Sequence, residues 1–342
     1  MQDSPALLAA AQDLVLRVRQ AVHSVVRAAA ERGEMASLSR EVAQGVGDTT
    51  FAMDVCAEHA IEAWMDEQAR RGPLSVLTED AGWRHRGPDG AGGWRELSDF
   101  AHGGPHFVID PIDGTRNLMA DLRPAWCVVA VCGPGATQPR LRDAIVGVVG
   151  ELPDSRARAA RMLSAIRGQY AYVEQRALQD QTLEWRRPLR VDGEARVDRG
   201  YFPFFRYLPS ERAQLARVEA TFFARLARWE GAHERSCFDD QYISNGGQLV
   251  LLALGTYRMI CDLRAHLATQ AGRETLASKP YDSAGAIVVA REAGCVLEDA
   301  EGGRLDFPLD AVTRVSFVGW HNLATKERLG PHLTAALASA QS

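Results

Sequence analysis

The chain has 342 residues, 46% of them apolar and 24% charged, with a formal net charge of −5. That is enough for a sizeable core and for two domains, and the charge balance excludes the strongly basic profile of nucleic-acid binders and of proteins that coat anionic membranes. Lysine occurs only at 279 and 326, so the basic side chains are almost all arginine. Six cysteines stand at 56, 127, 132, 237, 261 and 295, none in a C-x-x-C pair. Several sit in apolar runs, as in Trp126-Cys127-Val128 and Ile260-Cys261, and read as reduced, buried thiols of a cytoplasmic protein. Asp3, Asp13, Arg17 and Arg19 break any leader-like apolar stretch, and no run reaches the about 18 uncharged apolar residues of a membrane span.

Ser4-Pro5 reads as a helix start, and apolar residues from Leu7 to Val26 at three- and four-residue steps carry an amphipathic helix to about Gly33. A second helix is predicted from about Asp54 to Arg71, followed by a short strand over Leu74 to Leu77 and Thr78-Glu79-Asp80. Residues 81–105, rich in Gly, His, Trp and Pro, read as a long loop, as a lid or a surface insertion. Phe107 to Asp110, Ala125 to Val131 and Ala144 to Val149 read as strands; composition fixes no structure for 154–199. Tyr201 to Phe205 opens a second unit, so the domains are drawn as 1–199 and 200–342. Helices follow at Gln214 to Trp229 and Gly246 to Leu254, and a strand at Thr256 to Leu263. A helix from Asp282 stops at Gly294. A hairpin pairs Cys295 to Glu298 with Arg304 to Phe307. Val315 to Val318 is a strand, and Leu323 to Leu337 the closing helix. The alternation predicts a layered α/β fold.

Asp110-Pro111-Ile112-Asp113-Gly114-Thr115 carries the chemistry. Two carboxylates three residues apart close an apolar strand, and a Gly and a Thr follow whose N–H groups suit an anion. Hard cations such as Mg²⁺ take oxygen ligands and keep substrate phosphate as a further one. With Asn117, the stretch resembles the D-P-[IL]-D-G-T-x-N signature of the inositol monophosphatase family, which includes fructose-bisphosphatases and bisphosphate nucleotidases. Thr78-Glu79-Asp80 is similar to the family's E-[ED] pair, and Thr50 to Asp54 to its T-x-x-D segment. Asp282-Ser283-Ala284-Gly285, with Glu292-Ala293-Gly294, is similar to its late helix start. Tyr281 stands where the family has Trp, and residues 264–281 read as inserted. The resemblance covers about residues 5–330.

It implies a layered α-β-α-β-α sandwich of mixed α/β and α+β class, and a Mg²⁺-dependent phosphomonoesterase acting on a small phosphorylated polyol, sugar or related metabolite. Two or three Mg²⁺ ions, with Mn²⁺ as a substitute, would be held by Glu79, Asp110, the Ile112 carbonyl, Asp113 and Asp282. Gly114 and Thr115 would hold the phosphate, Glu79 and Thr115 orient the attacking water, and Asp54 support Thr115. The resemblance also implies a cytoplasmic homodimer, often Li⁺-sensitive, with no nucleic-acid or membrane partner. Fructose-1,6-bisphosphatase or 3′-phosphonucleotidase activity is the alternative on the same scaffold. A catalytically silent metal- or phosphate-binding protein is the alternative of another class. A phosphatase with an aspartyl nucleophile in D-x-D-G-T is out of register here, because two residues separate Asp110 and Asp113. Lys279, Arg264, His266 and Arg273 read as substrate contacts or as solvated loop residues, and His102 and His106 as poor Mg²⁺ ligands.

Overall fold

The computed structural model describes residues 4–44, 49–79, 81–135, 137–230 and 237–340. The chain runs through α1 (Ser4–Arg32), β1 (Glu41–Gln44), β2 (Thr49–Phe51), α2 (Asp54–Arg71), β3 (Leu74–Thr78), β4 (Gly82–Pro88), β5 (Trp94–Glu96), β6 (His106–Asp113) and a short α3 (Thr115–Met119). Five strands follow: β7 (Ala125–Cys132), β8 (Ala144–Leu152), β9 (Ala159–Ile166), β10 (Tyr170–Ala177) and β11 (Leu183–Pro188). The remainder is β12 (Gly200–Tyr201), α4 (Arg212–Trp229), β13 (Cys237–Phe238), α5 (Asn245–Ala253), β14 (Met259–Asp262), α6 (Arg264–Gln270), α7 (Pro280–Ala293), β15 (Val296–Asp299), β16 (Phe317–Trp320) and α8 (Leu323–Ala340).

Nine strands form one sheet in the order β11-β10-β9-β8-β7-β6-β3-β4-β5, antiparallel except where β3 and β6 run parallel. Its central strands are apolar on both faces. Along β7, Trp126, Val128, Ala130 and Cys132 face one core, while Ala125, Cys127, Val129 and Val131 face another. A sheet of this kind needs cover on both sides. On one side α1 and α2 supply it, and on the other α5 and α7. Behind α5 and α7 lies a second, three-stranded antiparallel sheet, β14-β16-β15. Its far face packs Met259, Cys261, Val318 and Trp320 against Leu215, Phe222, Leu329 and Leu333 of α4 and α8. The layers are thus α-β-α-β-α, as the sequence predicts. The middle layer has a sheet on each side, which is why α7 is buried at nearly every position from Pro280 to Ala290. One apolar core joins Leu77, Val128 and Val149 to Tyr242, Ile287 and Leu297, across the domain boundary drawn near 199.

Three expectations change, and one stretch left without an assignment takes shape. Residues 81–105 are not a bare loop: β4 and β5 extend the sheet edge. On β4, Arg84 pairs with Glu62, and Arg86 with Glu62 and Asp66 at 2.9 and 2.7 Å. The strand's partners are half-buried acids on α2, so the pattern carries no hydrophobic signal. Residues 159–188 are likewise three antiparallel strands whose outer positions are charged. Arg304 to Phe307 is no strand; it makes a single bridge to Glu298, and β15 pairs with β16 instead. Finally, α7 starts two residues before Asp282, at Pro280. Among the described residues no helix is long and apolar enough to cross a membrane, and all six cysteines are free thiols.

Candidate active site

Parallel pairing of β3 and β6, with Leu77 opposite Val108, brings both carboxyl ends to one edge of the sheet. This delivers Glu79 beside Asp110 and Asp113; Asp80 lies outside the described residues. At the end of β6 the ladder shifts register between Asp110 and Asp113. There Asp110 Oδ1 accepts the Ile112 N–H at 2.9 Å, and the Thr115 hydroxyl donates to the Ile112 carbonyl at 2.8 Å. Gly114 makes the turn at φ +96°, and a Cβ there would meet Ser244 Cβ at 3.1 Å and the Ile243 carbonyl at 3.2 Å. The position therefore suits glycine twice over, by conformation and by crowding. Asn117 Nδ2 donates to that same Ile243 carbonyl at 2.7 Å, tying α3 to the segment that opens α5.

Asp113 points at the start of α5. Its Oδ2 accepts from the Ser244 hydroxyl at 2.6 Å and the Gly246 N–H at 2.5 Å, and its Oδ1 from the Asn245 N–H at 3.3 Å. Ser244 is itself the N-cap, accepting the Gly247 N–H at 2.9 Å. Asp282 stands at the third position of α7, not at its cap. Lys279 is the cap residue, and Asp282 Oδ2 reaches back to the Lys279 N–H at 2.9 Å. Such a carboxylate satisfies an orphan donor of the first turn.

Glu79, Asp110, Ile112, Asp113, Gly114, Thr115 and Asp282 all line one cavity of about 290 Å³. Asp54 is not on that wall; at the start of α2, its Oδ2 accepts the Phe51 N–H at 2.7 Å. Burial, then the charges of Asp282, Asp113 and Glu79, lift the Asp110 carboxyl well above the usual range. Burial pushes Asp113 up to about 6 against the hydrogen bonds from Ser244, Gly246 and Asn245. Burial and Asp113 push Asp282 up to about 7, opposed by the Lys279 N–H and the Arg264 charge. These groups are short of positive charge. Among the described residues, no three His, Cys, Asp or Glu side chains stand as a ready-made ligand cage. The donor set is wholly oxygen, which fits a hard cation that completes its shell with water and phosphate.

Several residues of the site escape a reading of the sequence. Ser244 and Asn245 hold Asp113, and Ser-Asn-Gly-Gly before an apolar run was a legible cap signal. Tyr281 is buried and its hydroxyl bonds Glu79. Arg264 is buried on the cavity wall rather than solvated. Lys279 also lines the cavity while its ammonium donates to the Val312 carbonyl at 2.8 Å. His266 pairs with Gln270, and Arg273 with Gln214. His102 and His106 instead meet His85 around the Ser75 hydroxyl, at 2.7, 3.2 and 2.8 Å. The Gly104 N–H donates to His102 Nδ1, so His102 Nε2 carries the proton that Ser75 accepts. This hub ties β3, β4 and β6 together.

A model of the inositol monophosphatase family matches residues 6–337. A curated relative from Methanothermobacter thermautotrophicus, named fructose-1,6-bisphosphatase/inositol-1-monophosphatase, is 24% identical over 286 residues, which is 83% of this chain and 82% of its own. Among solved structures, the extragenic suppressor protein suhB from Bartonella henselae superposes with a TM-score of 0.63 at 16% identity, covering 96% of this chain and 98% of that one. The inositol monophosphatase from Anabaena gives 0.57 at 14% identity, covering 97% and 96%. At these identities the two structures speak for the fold.

Proposed function

From the premise that the chain belongs to the inositol monophosphatase family of metal-dependent phosphatases, we propose that it is a Mg²⁺-dependent phosphomonoesterase of small phosphorylated polyols, sugars or related metabolites. The observation that carries this reading is the convergence of Glu79, Asp110, Asp113 and Asp282 on one cavity beside the Gly114–Thr115 turn. With the Ile112 carbonyl, these carboxylates would hold two or three Mg²⁺ ions. Mg²⁺ is commonly bound by one or two carboxylates plus water and substrate phosphate, so an open set of acids suits it. When bound, such ions supply Lewis acidity, drawing charge from phosphate oxygens and acidifying water.

The remaining work falls to the chain. The Gly114 and Thr115 N–H groups receive phosphate oxygens and orient the ester. The Thr115 hydroxyl donates its hydrogen bond to the Ile112 carbonyl, so its lone pairs are offered to a hydrogen of the attacking water. Glu79 takes the other proton, steadied by the Tyr281 hydroxyl. The water oxygen bonds to phosphorus in line as the ester P–O bond breaks, and the leaving alkoxide takes a proton from solvent, balanced by the proton that Glu79 holds and then releases to solvent. Asp54 keeps the supporting role behind Thr115 that the family resemblance implies.

The test is phosphate release from a panel of esters with and without Mg²⁺. Inositol 1-phosphate and fructose 1,6-bisphosphate lead it, given the relative's name, with nucleotide 3′-phosphates and histidinol phosphate behind. At least one ester is expected to turn over only with Mg²⁺. Asp110→Asn and Asp282→Asn are each expected to remove most of that turnover in protein that still melts cooperatively. Metal-independent release, or a trapped phosphoenzyme, would sink the reading.

A further inference from the structure

Arg264 sits at a joint between two parts of the cavity. Its side chain is 6% exposed. Nε and Nη2 grip both oxygens of Asp262 at 2.9 and 2.6 Å, Nη2 also donates to Asn245 Oδ1 at 3.2 Å, and Nη1 donates to the Leu276 carbonyl at 3.0 Å. Asn245 Nδ2 closes the ring onto Asp262 Oδ2 at 2.9 Å, and the guanidinium lies 3.9 Å over Phe205. A guanidinium has five N–H donors in a rigid fork. Four of them are engaged by protein, so Arg264 is built to hold the fold around the cavity.

What it holds is specific. Asn245 is the first residue of α5, and its N–H, with those of Gly246 and the Ser244 hydroxyl, fixes both oxygens of Asp113. The Leu276 carbonyl belongs to the segment that returns along the cavity wall just before Asp282. We propose that Arg264 is a positioning residue: through Asn245 it aims the Asp113 carboxylate, and through Leu276 it fixes the substrate-side wall to the same point. The inference rests on Asp113 as a Mg²⁺ ligand.

The sign of one measurement separates positioning from simple charge. A cation near a divalent ion repels it, so charge alone predicts that Arg264→Gln tightens Mg²⁺ binding and that Arg264→Lys leaves it unchanged. Positioning predicts that Arg264→Gln, Arg264→Lys and Asn245→Ala all weaken it, by about tenfold or more, as for other supports of metal ligands. An ammonium cannot replace the fork, and Asn245→Ala keeps the charge while cutting the link. The full-length variants are titrated with Mg²⁺ alone in a calorimeter, with no ester present. Asn245→Ala and Arg264→Lys carry the test if Arg264→Gln does not fold. In turnover assays, the Mg²⁺ needed for half activity should rise while kcat at saturating Mg²⁺ stays within a few-fold of the parent. Unchanged or tighter Mg²⁺ binding, or a kcat that saturating Mg²⁺ does not restore, overturns the proposal. A parent protein that binds no Mg²⁺ fails differently, because it brings down the metal assignment itself.

Discussion

Asp113 and Asp282 carry their charge at a cost set by burial, and that cost makes the metal-free protein sensitive to pH. Folding raises both carboxyls, to about 6 and about 7, from an ordinary value of about 3.9. A group raised by folding stabilises the fold while it is protonated. Its contribution is full below about pH 3.9 and is lost as pH climbs through 6 and 7. Under the proposed function, Mg²⁺ would have to displace the same protons. The rise in Tm that saturating Mg²⁺ produces should therefore be small at pH 5.5 and grow towards pH 8. A rise that is equal at both pH values would contradict the assignment of these acids. At this scale the contiguous motif from Asp110 to Thr115 was legible, because one turn brings its groups together. Arg264 and Tyr281 were not, since Arg264 acts through Asp262, Asn245 and Leu276 in three separate segments and Tyr281 through the distant Glu79. The start of α7 was written in Lys279-Pro280 and misread, because Pro at the first helical position marks the boundary.

Among the elements, α7 matters most, since it carries Asp282 to the sheet that carries Asp110. Its approach depends on Gly285. A Cβ there would lie 2.3 Å from the Val129 carbonyl oxygen and 2.5 Å from its carbon, on strand β7. The obstacle is backbone in the centre of a sheet, so the helix must move instead. Gly285→Ala is expected to cost about 1–3 kcal/mol through overpacking and to weaken Mg²⁺ binding, because Asp282 moves with its helix. Gly193→Ala, where a Cβ meets nothing within 4 Å, is the matched control. A Gly285→Ala protein with parental Tm and Mg²⁺ affinity would refute this account. The longer helices α1, α2, α4, α5, α7 and α8 were legible, by apolar spacing or by their caps and stops, whereas the short α3 and α6 were not. The outer strands β4, β5 and β11 were illegible, because their partners are charges such as Glu62 and Asp66 or solvent, and neither leaves an alternating apolar trace. Strands β9 and β10 bury apolar residues such as Leu163 and Val173 between charged ones, and the mixture hid them.

For the molecule as a whole, the five layers follow from two double-faced sheets and the helices that must cover them. That much was readable, as apolar strands alternating with amphipathic helices under a family signature. The 264–281 stretch was read as an insertion, yet it supplies cavity wall and the Arg264 joint. It anchors through the buried Leu267 and through the hydrogen bonds of Arg264 to β14 and α5, and so short a stretch shows no periodicity. Under the proposed function, such segments would read the alcohol, while the carboxylate end of the cavity would serve the reaction.

The lodging of α7 between two sheets also sets a timetable. Strands β6 to β11 are sequential neighbours joined by connections of three to eleven residues, so that meander can assemble from local contacts. Asp282 arrives from about 170 residues further along, and such distant closures are slow. In refolding from denaturant, far-UV circular dichroism is expected to recover before Mg²⁺-dependent phosphatase activity. A single shared rate would show that the helix docks with the sheet rather than after it. On this order, a nascent chain would hold the signature turn before it gained the last of the four proposed acids, and competence for catalysis would come late in the life of each chain.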